Sequence, residues 1–427
     1  MEVKEPSPRY ASKASRALKN NLPVDWQLTR VEDAGAVLGG RQRSPSAQGD
    51  PTPYLRVANV FAGWIDTSDV LQMPFTADER ARFSLRAGDI LLNEGQSLEL
   101  VGRSAIYRDE PRNCCFQNTL VRFRAGPRTD PNYAQYVFES YLRRGEFSKI
   151  ALQTTSIAHL GAGRFAQMPF VAPPLGEQKA IGKALADADA LIDSLEQLLT
   201  KKRQVKQGAM QELLTGKRRL LENGEAWRQV PLGSLGRWSG GMTPSMARVD
   251  YWSPAEVPWL SSGDLKTAQL SESAKYVSKA AVRDGTTTVV PANSVVVVMR
   301  SGILRKCLPV GITLKPMAIN QDLKAIQPNT EVAAEFLLHA LTCWGERILA
   351  TCLKAGTTVE SLELRWLKAF TIDLPPVSEQ VLIAGVLSDM DSEITALESR
   401  LTKALSLKQA MAQALLTGRI RLVEPTA

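Results

Sequence analysis

The sequence is short of the side chains that most covalent and metal chemistry needs: five cysteines and two histidines in 427 residues. The cysteines (Cys114, Cys115, Cys307, Cys343 and Cys352) are odd in number and show no CxxC spacing, which argues against a disulfide framework and against a zinc site. A reducing cytoplasm suits them. His159 and His339 stand outside any HExxH-like context, so histidine-based acid–base catalysis is poorly supplied. No apolar run approaches the roughly 18 residues that span a bilayer, so no membrane association is expected. The longest such run, Val295 to Met299, is short, β-branched and strand-like. The N-terminus has no apolar secretion core; residues 1–23 read as a polar leader, with Lys13, Arg16 and Lys19 at helical spacing.

Positive charge is in excess. Lys and Arg number 52 against 44 Asp and Glu, a formal net charge of +8. That balance suits a polyanionic partner such as double-stranded DNA. With 44% hydrophobic and 22% charged residues, the chain reads as globular and long enough for two or three domains.

The chain also repeats itself. Residues 173–220 and 375–422 align without a gap, Glu177 falling on Glu379, and 23 of 48 positions are identical. Each copy opens on a proline pair, Pro173-Pro174 or Pro375-Pro376, which separates a strand from a helix. Apolar residues then recur at steps of four and three. They are Ile181, Leu185, Ala188, Ile192, Leu195 and Leu199 in the first copy. In the second they are Ile383, Leu387, Met390, Ile394, Leu397, Leu401 and Ala404. Such spacing lays one apolar seam along a long helix, the pattern of a coiled coil. Each copy ends on Leu-Leu-Thr-Gly, with Gly216 or Gly418 where a left-handed C-cap needs glycine. A helix of about 38 residues at roughly 1.5 Å each would be about 57 Å long.

Charge predicts how the two helices pair. Asp187, Asp189, Asp193 and Glu196 precede Lys201, Lys202, Arg203 and Lys206; Asp389, Asp391, Glu393 and Glu398 precede Arg400, Lys403 and Lys408. Laid antiparallel, the acidic half of each helix meets the basic half of the other; laid parallel, like charges meet. The alternative is solvated charge that only follows the helix dipole. The paired aspartates, Asp187/Asp189 and Asp389/Asp391, read as solvated charges on outer helix faces.

Two globular segments, 24–172 and 226–374, alternate with these helices. Short β-branched and aromatic runs broken by Gly, Pro, Asn and Asp make them strand-rich α+β domains. Weak echoes link them. Pro53-Tyr54-Leu55 matches Pro258-Trp259-Leu260, and Gln117-Asn118-Thr119-Leu120 matches Asn320-Gln321-Asp322-Leu323. Thr154-Thr155-Ser156-Ile157 lies near the register of Gly356-Thr357-Thr358-Val359. The expected architecture is α+β: two strand-rich domains alternating with two long helices that pair as an antiparallel coiled coil, an internal pseudo-twofold repeat.

On the twice-repeated proline pair, Glu177-Gln178 and Glu379-Gln380, and the Leu-Leu-Thr-Gly ends, the chain resembles the specificity subunits of type I restriction–modification systems. Asn320-Gln321-Asp322-Leu323 also resembles a recurring element of their recognition domains. The resemblance covers nearly the whole chain beyond the leader. It implies that residues 24–172 and 226–374 are target recognition domains, each reading one half of a bipartite site in double-stranded DNA. It implies that the central (173–220) and C-terminal (375–422) helices set the spacer and dock two methyltransferase subunits. Those would methylate adenine with S-adenosylmethionine, while separate restriction and translocase subunits cut DNA.

The chain's own residues lack the parts of an enzyme. Pro173-Pro174-Leu175 and Pro375-Pro376-Val377 have neither the amide or acid before the prolines nor the aromatic after them that adenine methylation uses. Gly161-Ala162-Gly163 is an ordinary turn signal, and there is no GxxxxGK[ST] phosphate loop. No cofactor and no metal are expected, and the subunit reads as non-catalytic. Base contacts call for Arg, Lys, Asn or Gln in loops. The DNA-binding candidates are Arg41, Arg43, Arg56, Asn59, Arg103 and Asn118 in the first domain, and Arg248, Lys266, Arg300, Arg305, Lys306 and Gln321 in the second. Lys217-Arg218-Arg219 is a candidate phosphate contact or a solvated junction. Two other readings remain open: a coiled-coil scaffold of a phage-defence complex without its own sequence reading, and a degenerate methyltransferase or nuclease.

Overall fold

The computed structural model describes residues 22–42, 44, 48–153, 156–221, 225–354 and 358–422; the expectations for residues 1–21, for Arg43 and for Thr154, Thr155, Gly356 and Thr357 lie outside them. The chain divides into two compact units, residues 1–196 with 400–427, and residues 197–399.

Two sheets organise the first unit's domain, beside a small one in which Ala158–His159 lies between Leu152–Gln153 and Gly95–Gln96. In the larger, strands Gly35–Gly39, Leu120–Ala125, Ile90–Asn93 and Ser104–Ile106 lie in that order, all antiparallel. In the smaller, Asp50–Leu55 pairs antiparallel with Leu71–Phe75 and parallel with Cys115–Phe116. Helix Pro131–Arg143, capped by the Asp130 side chain, supplies buried Tyr133, Val137 and Phe138 to the core. The second unit repeats the scheme. Strands Gly236–Gly240, Leu323–Pro328, Val295–Val298 and Val310–Thr313 form its larger sheet, extended by Gln269–Leu270. Val257–Leu260, between Lys275–Val277 and Met317–Ile319, belongs to the smaller, which Thr288–Val290 extends beside Met317–Ile319. All four residues of Ile90–Asn93 and of Val295–Val298 are buried, which is why each central strand needs a run of apolar side chains rather than an alternation.

A two-strand clasp gathers the ends of each globule. Gln27–Arg30 pairs with Pro169–Ala172, and Arg228–Pro231 pairs with Thr371–Leu374. Each clasp leads through a proline pair into a long helix, Leu175–Leu213 of 39 residues and Val377–Leu416 of 40. Both helices end on a glycine in the left-handed region, Gly216 at φ +68° and Gly418 at φ +71°. A Cβ on Gly418 would also stand 2.6 Å from Pro23, so the position excludes larger residues twice over.

The helices pair antiparallel, as the charges predicted. In the first unit Lys408 pairs with Asp189 and Arg421 with Glu177. In the second, Lys206 pairs with Asp391, Lys202 with Glu393 at 2.6 Å, and Arg219 with Glu379 at 2.8 Å. Rising numbers on one helix meet falling numbers on the other, and the Asp–Lys and Glu–Arg pairs each occur twice at repeat-equivalent positions. Asp189 and Asp391 are therefore not the solvated outer-face charges expected from sequence; periodicity alone did not reveal that they flank the seam. The exposed pairs among them, such as Lys202 with Glu393, add little stability and act mainly on register and direction, whereas the pairs of Arg421 and Arg219 engage fully buried glutamates. Burial at the seam does the holding. Ile181, Leu185, Ala412 and Leu415 join the first unit's core, and Met210, Leu213, Ile383 and Leu387 the second's.

The two units treat the shared Asp–Lys pair differently. In the first, Tyr136 donates a hydrogen bond to Asp189 at 2.8 Å. In the second, the equivalent place on the domain helix is taken by His339, buried beside Lys206 and Asp391 and 3.2 Å from the Ser388 hydroxyl. Burial, reinforced by Lys206, lowers the His339 pKa from its ordinary 6.5 to about 4. The neutral ring is the folded form, so its stability is fully present above pH 6.5 and is lost as pH falls towards 4. That shift corresponds to about 3 kcal/mol. Denaturant titrations of the second unit's unfolding should show a steep loss across this window, flattened in His339→Gln; equal slopes would contradict the assignment.

Candidate nucleic-acid interface

In each unit the chain crosses from the smaller sheet to the larger through a three-residue turn, and the exposed loops gather there. Residues 117–119 make the first turn. Gln117 N–H donates to Leu55 O at 2.9 Å, and Asn118 N–H to Arg41 O at 3.0 Å. Glu94 N–H donates to Thr119 O at 2.9 Å, and Val57 N–H to the Thr119 hydroxyl at 3.1 Å. Loops 39–42, 56–59 and 94–96 therefore converge on one turn, and His159 adds a 3.0 Å contact to Glu94. Residues 320–322 make the second turn. Asn320 N–H donates to Leu260 O at 2.9 Å, Met242 N–H to Ile319 O at 3.1 Å, and Met299 N–H to Asp322 O at 2.8 Å. Ser301 N–H, donating to Glu360 O at 3.0 Å, brings in the loop before Leu362.

Several sequence candidates hold this edge together rather than pointing out from it. Asn59 is buried; its amide accepts from Arg56 N–H at 3.0 Å and donates to the Asp66 and Asp69 carbonyls, both at 3.0 Å. Asp264 plays the same part in the second unit, accepting from Ser261 N–H at 2.8 Å. Arg56 is tied to Asp69 at 2.6 Å. Arg41, its side chain 10% exposed, pairs with Glu79 at 2.7 Å and lies over the Phe75 ring. Arg103 lies 4.7 Å over the Phe61 ring, and burial lowers its pKa below the ordinary arginine value. Sequence spacing offered no way to separate such internal arginines from external ones, since both occur in polar loops.

The other candidates are exposed. Arg248 is gripped by Asp250 through two bonds of 2.8 and 2.6 Å, which raise its pKa, and it lies over Tyr251. Arg300 pairs with Asp322 at 2.7 Å and Arg305 with Glu360. Lys266, Lys306, Asn118 and Gln321 are exposed as well. Gln321 Oε1 accepts from the Thr243 hydroxyl. The turn thus brings together Arg300, Gln321 and Thr243, with Arg305 and Lys306 on the adjoining 301–306 loop. Of the phosphate candidates past the first helix, Arg219 is held by Glu379, whereas Lys217 and Arg218 are exposed.

Sequence reading missed two features. Thr243 sits in a Gly-Gly-Met-Thr-Pro loop whose only signal was its turn residues. Trp64, 54% exposed, stacks on Phe61 at 4.6 Å with Arg103 on the ring beyond, so a three-member stack stands on the hairpin between Val60 and Ile65.

Two adjacent thiols of the first unit are buried and held in the neutral form. Burial raises the Cys114 thiol to about 12 and Cys115 to about 11. No cluster of three or more His, Cys, Asp or Glu able to hold a metal occurs among the described residues. No described helix is long and apolar enough to cross a membrane. What the edge offers is donors, amides and cations, a surface for polar recognition.

A family model for the type I restriction modification DNA specificity domain matches the chain twice, over residues 23–207 and 224–407. The specificity subunit of the Escherichia coli type I restriction enzyme EcoR124I/EcoR124II is 33% identical over 178 residues, 42% of this chain and 44% of that protein. The putative MjaX specificity subunit of Methanocaldococcus jannaschii is 24% identical over 417 residues, 94% of this chain and 95% of that one. In structure, the type I restriction–modification S subunit from M. genitalium matches with a TM-score of 0.57 at 14% identity, over 93% of this chain and 96% of that chain. That last likeness is one of fold.

Proposed function

The chain belongs to the family of type I restriction modification DNA specificity domains, and from that premise we propose that it is the DNA-reading subunit of a restriction–modification complex. Each strand-rich domain reads one half of a bipartite site, and the paired helices set the spacer and dock two methyltransferase subunits. Methylation, ATP-driven translocation and cleavage are the work of those partners and of restriction subunits, so this chain binds without catalysing. The complex works in the cytoplasm, which suits five unpaired cysteines.

The observation that carries this reading is the duplicated loop edge. Two domains of diverged sequence share the order of four strands in the larger sheet and three in the smaller, and both place an exposed amide side chain on the turn between their sheets. Two unlike readers on a like scaffold is what an asymmetric bipartite site requires. Of the candidates, Asn118, Arg248, Lys266, Arg300, Arg305, Lys306 and Gln321 are the proposed direct contacts. Arg41, Arg56, Asn59 and Arg103 are proposed to shape the loops that carry them.

The spacer role has a direct test. Inserting one heptad into each long helix at matched seam positions keeps the apolar stripe and lengthens the rod by about 10 Å, roughly three base pairs of B-DNA. The methylated motif of the assembled complex should keep both half-sites and gain a longer gap. An unaltered gap would remove the helices as the spacer.

A further inference from the structure

This inference rests on the DNA-reading function proposed above and narrows it to one side chain in each domain. We propose that Asn118 and Gln321 each read the edge of an adenine, in an A·T pair of the first and second half-site respectively, and that Thr243 positions the second of them.

The two residues occupy the same place. Each is the middle residue of the turn that joins the two sheets, preceding strand Leu120–Ala125 in one unit and Leu323–Pro328 in the other. Each is exposed, and in the second unit the neighbour on the N-terminal side serves the fold. Asn320 is 5% exposed, and its amide accepts from Asp322 N–H at 3.0 Å and donates to the Asp322 carboxylate at 3.2 Å. One amide of the turn is thus spent on the backbone, and the next faces out.

The turn is also rigid. Its backbone is bonded to the smaller sheet and to the neighbouring loop on either side, so little freedom is lost when the side chain meets a partner. A planar amide carries one acceptor and one donor side by side. Adenine presents the complementary pair in the major groove, the N6 amino donor and the N7 acceptor. The exposed arginines at this edge lack that complement, because a guanidinium carries donors and no acceptor.

The Thr243 hydroxyl donates to Gln321 Oε1 and so ties the amide to the neighbouring loop. A carbonyl oxygen has two lone pairs, so the second remains for the adenine N6–H. Nε2 has no partner among the described residues and is left for N7. Asn118 is one methylene shorter and has no such hydroxyl partner among the described residues, so only its backbone holds it.

The test uses this chain assembled with its methyltransferase subunits and S-adenosylmethionine, acting on duplexes randomised in one half-site at a time, with methylated products sequenced. In Gln321→Leu, discrimination at one A·T position of the second half-site should fall by roughly 5- to 150-fold, with the first half-site unchanged. Asn118→Ala should do the converse. Thr243→Val should weaken discrimination at that same second-half position without shifting the unfolding midpoint. Gln321→Glu should move the preference from adenine towards cytosine, whose N4 amino group donates to a carboxylate. If Gln321→Leu leaves every position as selective as before, or weakens binding evenly across all sequences as a phosphate contact would, the assignment is overturned. A wild-type complex that selects no bipartite motif would overturn the DNA-reading function itself, a different result.

Discussion

Arg421→Ala should destabilise the first unit by about 3 kcal/mol, although the residue belongs to none of the loops proposed to read DNA. Its partner explains why. Glu177, at the start of the first long helix, has a fully buried side chain. It accepts two bonds from Arg421, at 2.6 and 2.7 Å, and one from the Trp26 indole at 2.9 Å. Arg421 also holds Asp25 at 2.7 and 3.0 Å, keeping that carboxyl below its usual range. Truncating Arg421 leaves a buried carboxylate with a single indole donor. The guanidinium is 19% exposed, so the loss falls at the lower end of what breaking a buried pair costs. Denaturant unfolding should show the loss, and hydrogen exchange should localise it to the Gln27–Arg30 and Pro169–Ala172 strands. Arg419→Ala, exposed two residues earlier, should change nothing. Glu177→Ala combined with Arg421→Ala should cost less than the two single losses added together. An unchanged midpoint in Arg421→Ala would mean the ion pair does not hold the unit closed.

The same device closes the second unit with the roles exchanged between helices. Glu379 accepts from Arg219, the Trp227 indole and Leu220 N–H. Burial alone would raise its carboxyl; the three donors hold it below the usual carboxylate range. The following glutamines act in parallel. Gln178 bonds Pro173 O, Arg128 O and Asp130 N–H, and Gln380 bonds Pro375 O, Glu331 O and Ala333 N–H. Each glutamine joins the head of its helix to the loop that opens the adjacent domain helix.

Exchanging residues 24–172 for the corresponding segment of a family member with another specificity should replace one half-site completely and leave the other intact. The physical ground is that the segment enters and leaves through one strand pair, Gln27–Arg30 with Pro169–Ala172, and carries its own sheets. The incoming segment must supply an indole for Glu177, a carboxylate for Arg421, a hydroxyl for Asp189, carbonyls for Gln178, and apolar faces for Ile181, Leu185, Ala412 and Leu415. Sequencing of adenine-methylated DNA reads the result. A change in both half-sites, or in neither, would end the two-module account.

The rod was legible from the chain because helical periodicity is local and because the repeat supplied a second copy for comparison. Ile181, Leu185, Ile192, Leu195 and Leu199 are all buried, as their spacing required. Direction was legible too, since charge order along each helix leaves one favourable pairing. The loop edge was much less so. Arg41, Asn59 and Asn118 look alike in sequence, being polar residues among turn formers, yet one is paired, one is buried and one is exposed. Which of these applies depends on Glu79, Asp69 and the sheet turn, partners that local spacing does not identify.

By itself, then, the sequence determined the duplicated order of domains and helices, the seam, the helix ends at Gly216 and Gly418, and the antiparallel sense. These follow from periodicity, backbone stereochemistry and the sign of charge, all of which act within one helix or between two aligned copies. Only the tertiary structure decided that Glu177 and Glu379 are buried locks, that Asp189 and Asp391 pair across the seam, and which side chain of each turn is exposed. Those outcomes depend on residues as much as 244 positions apart, as Arg421 is from Glu177, and burial changes the meaning of a charge only once the chain has closed around it.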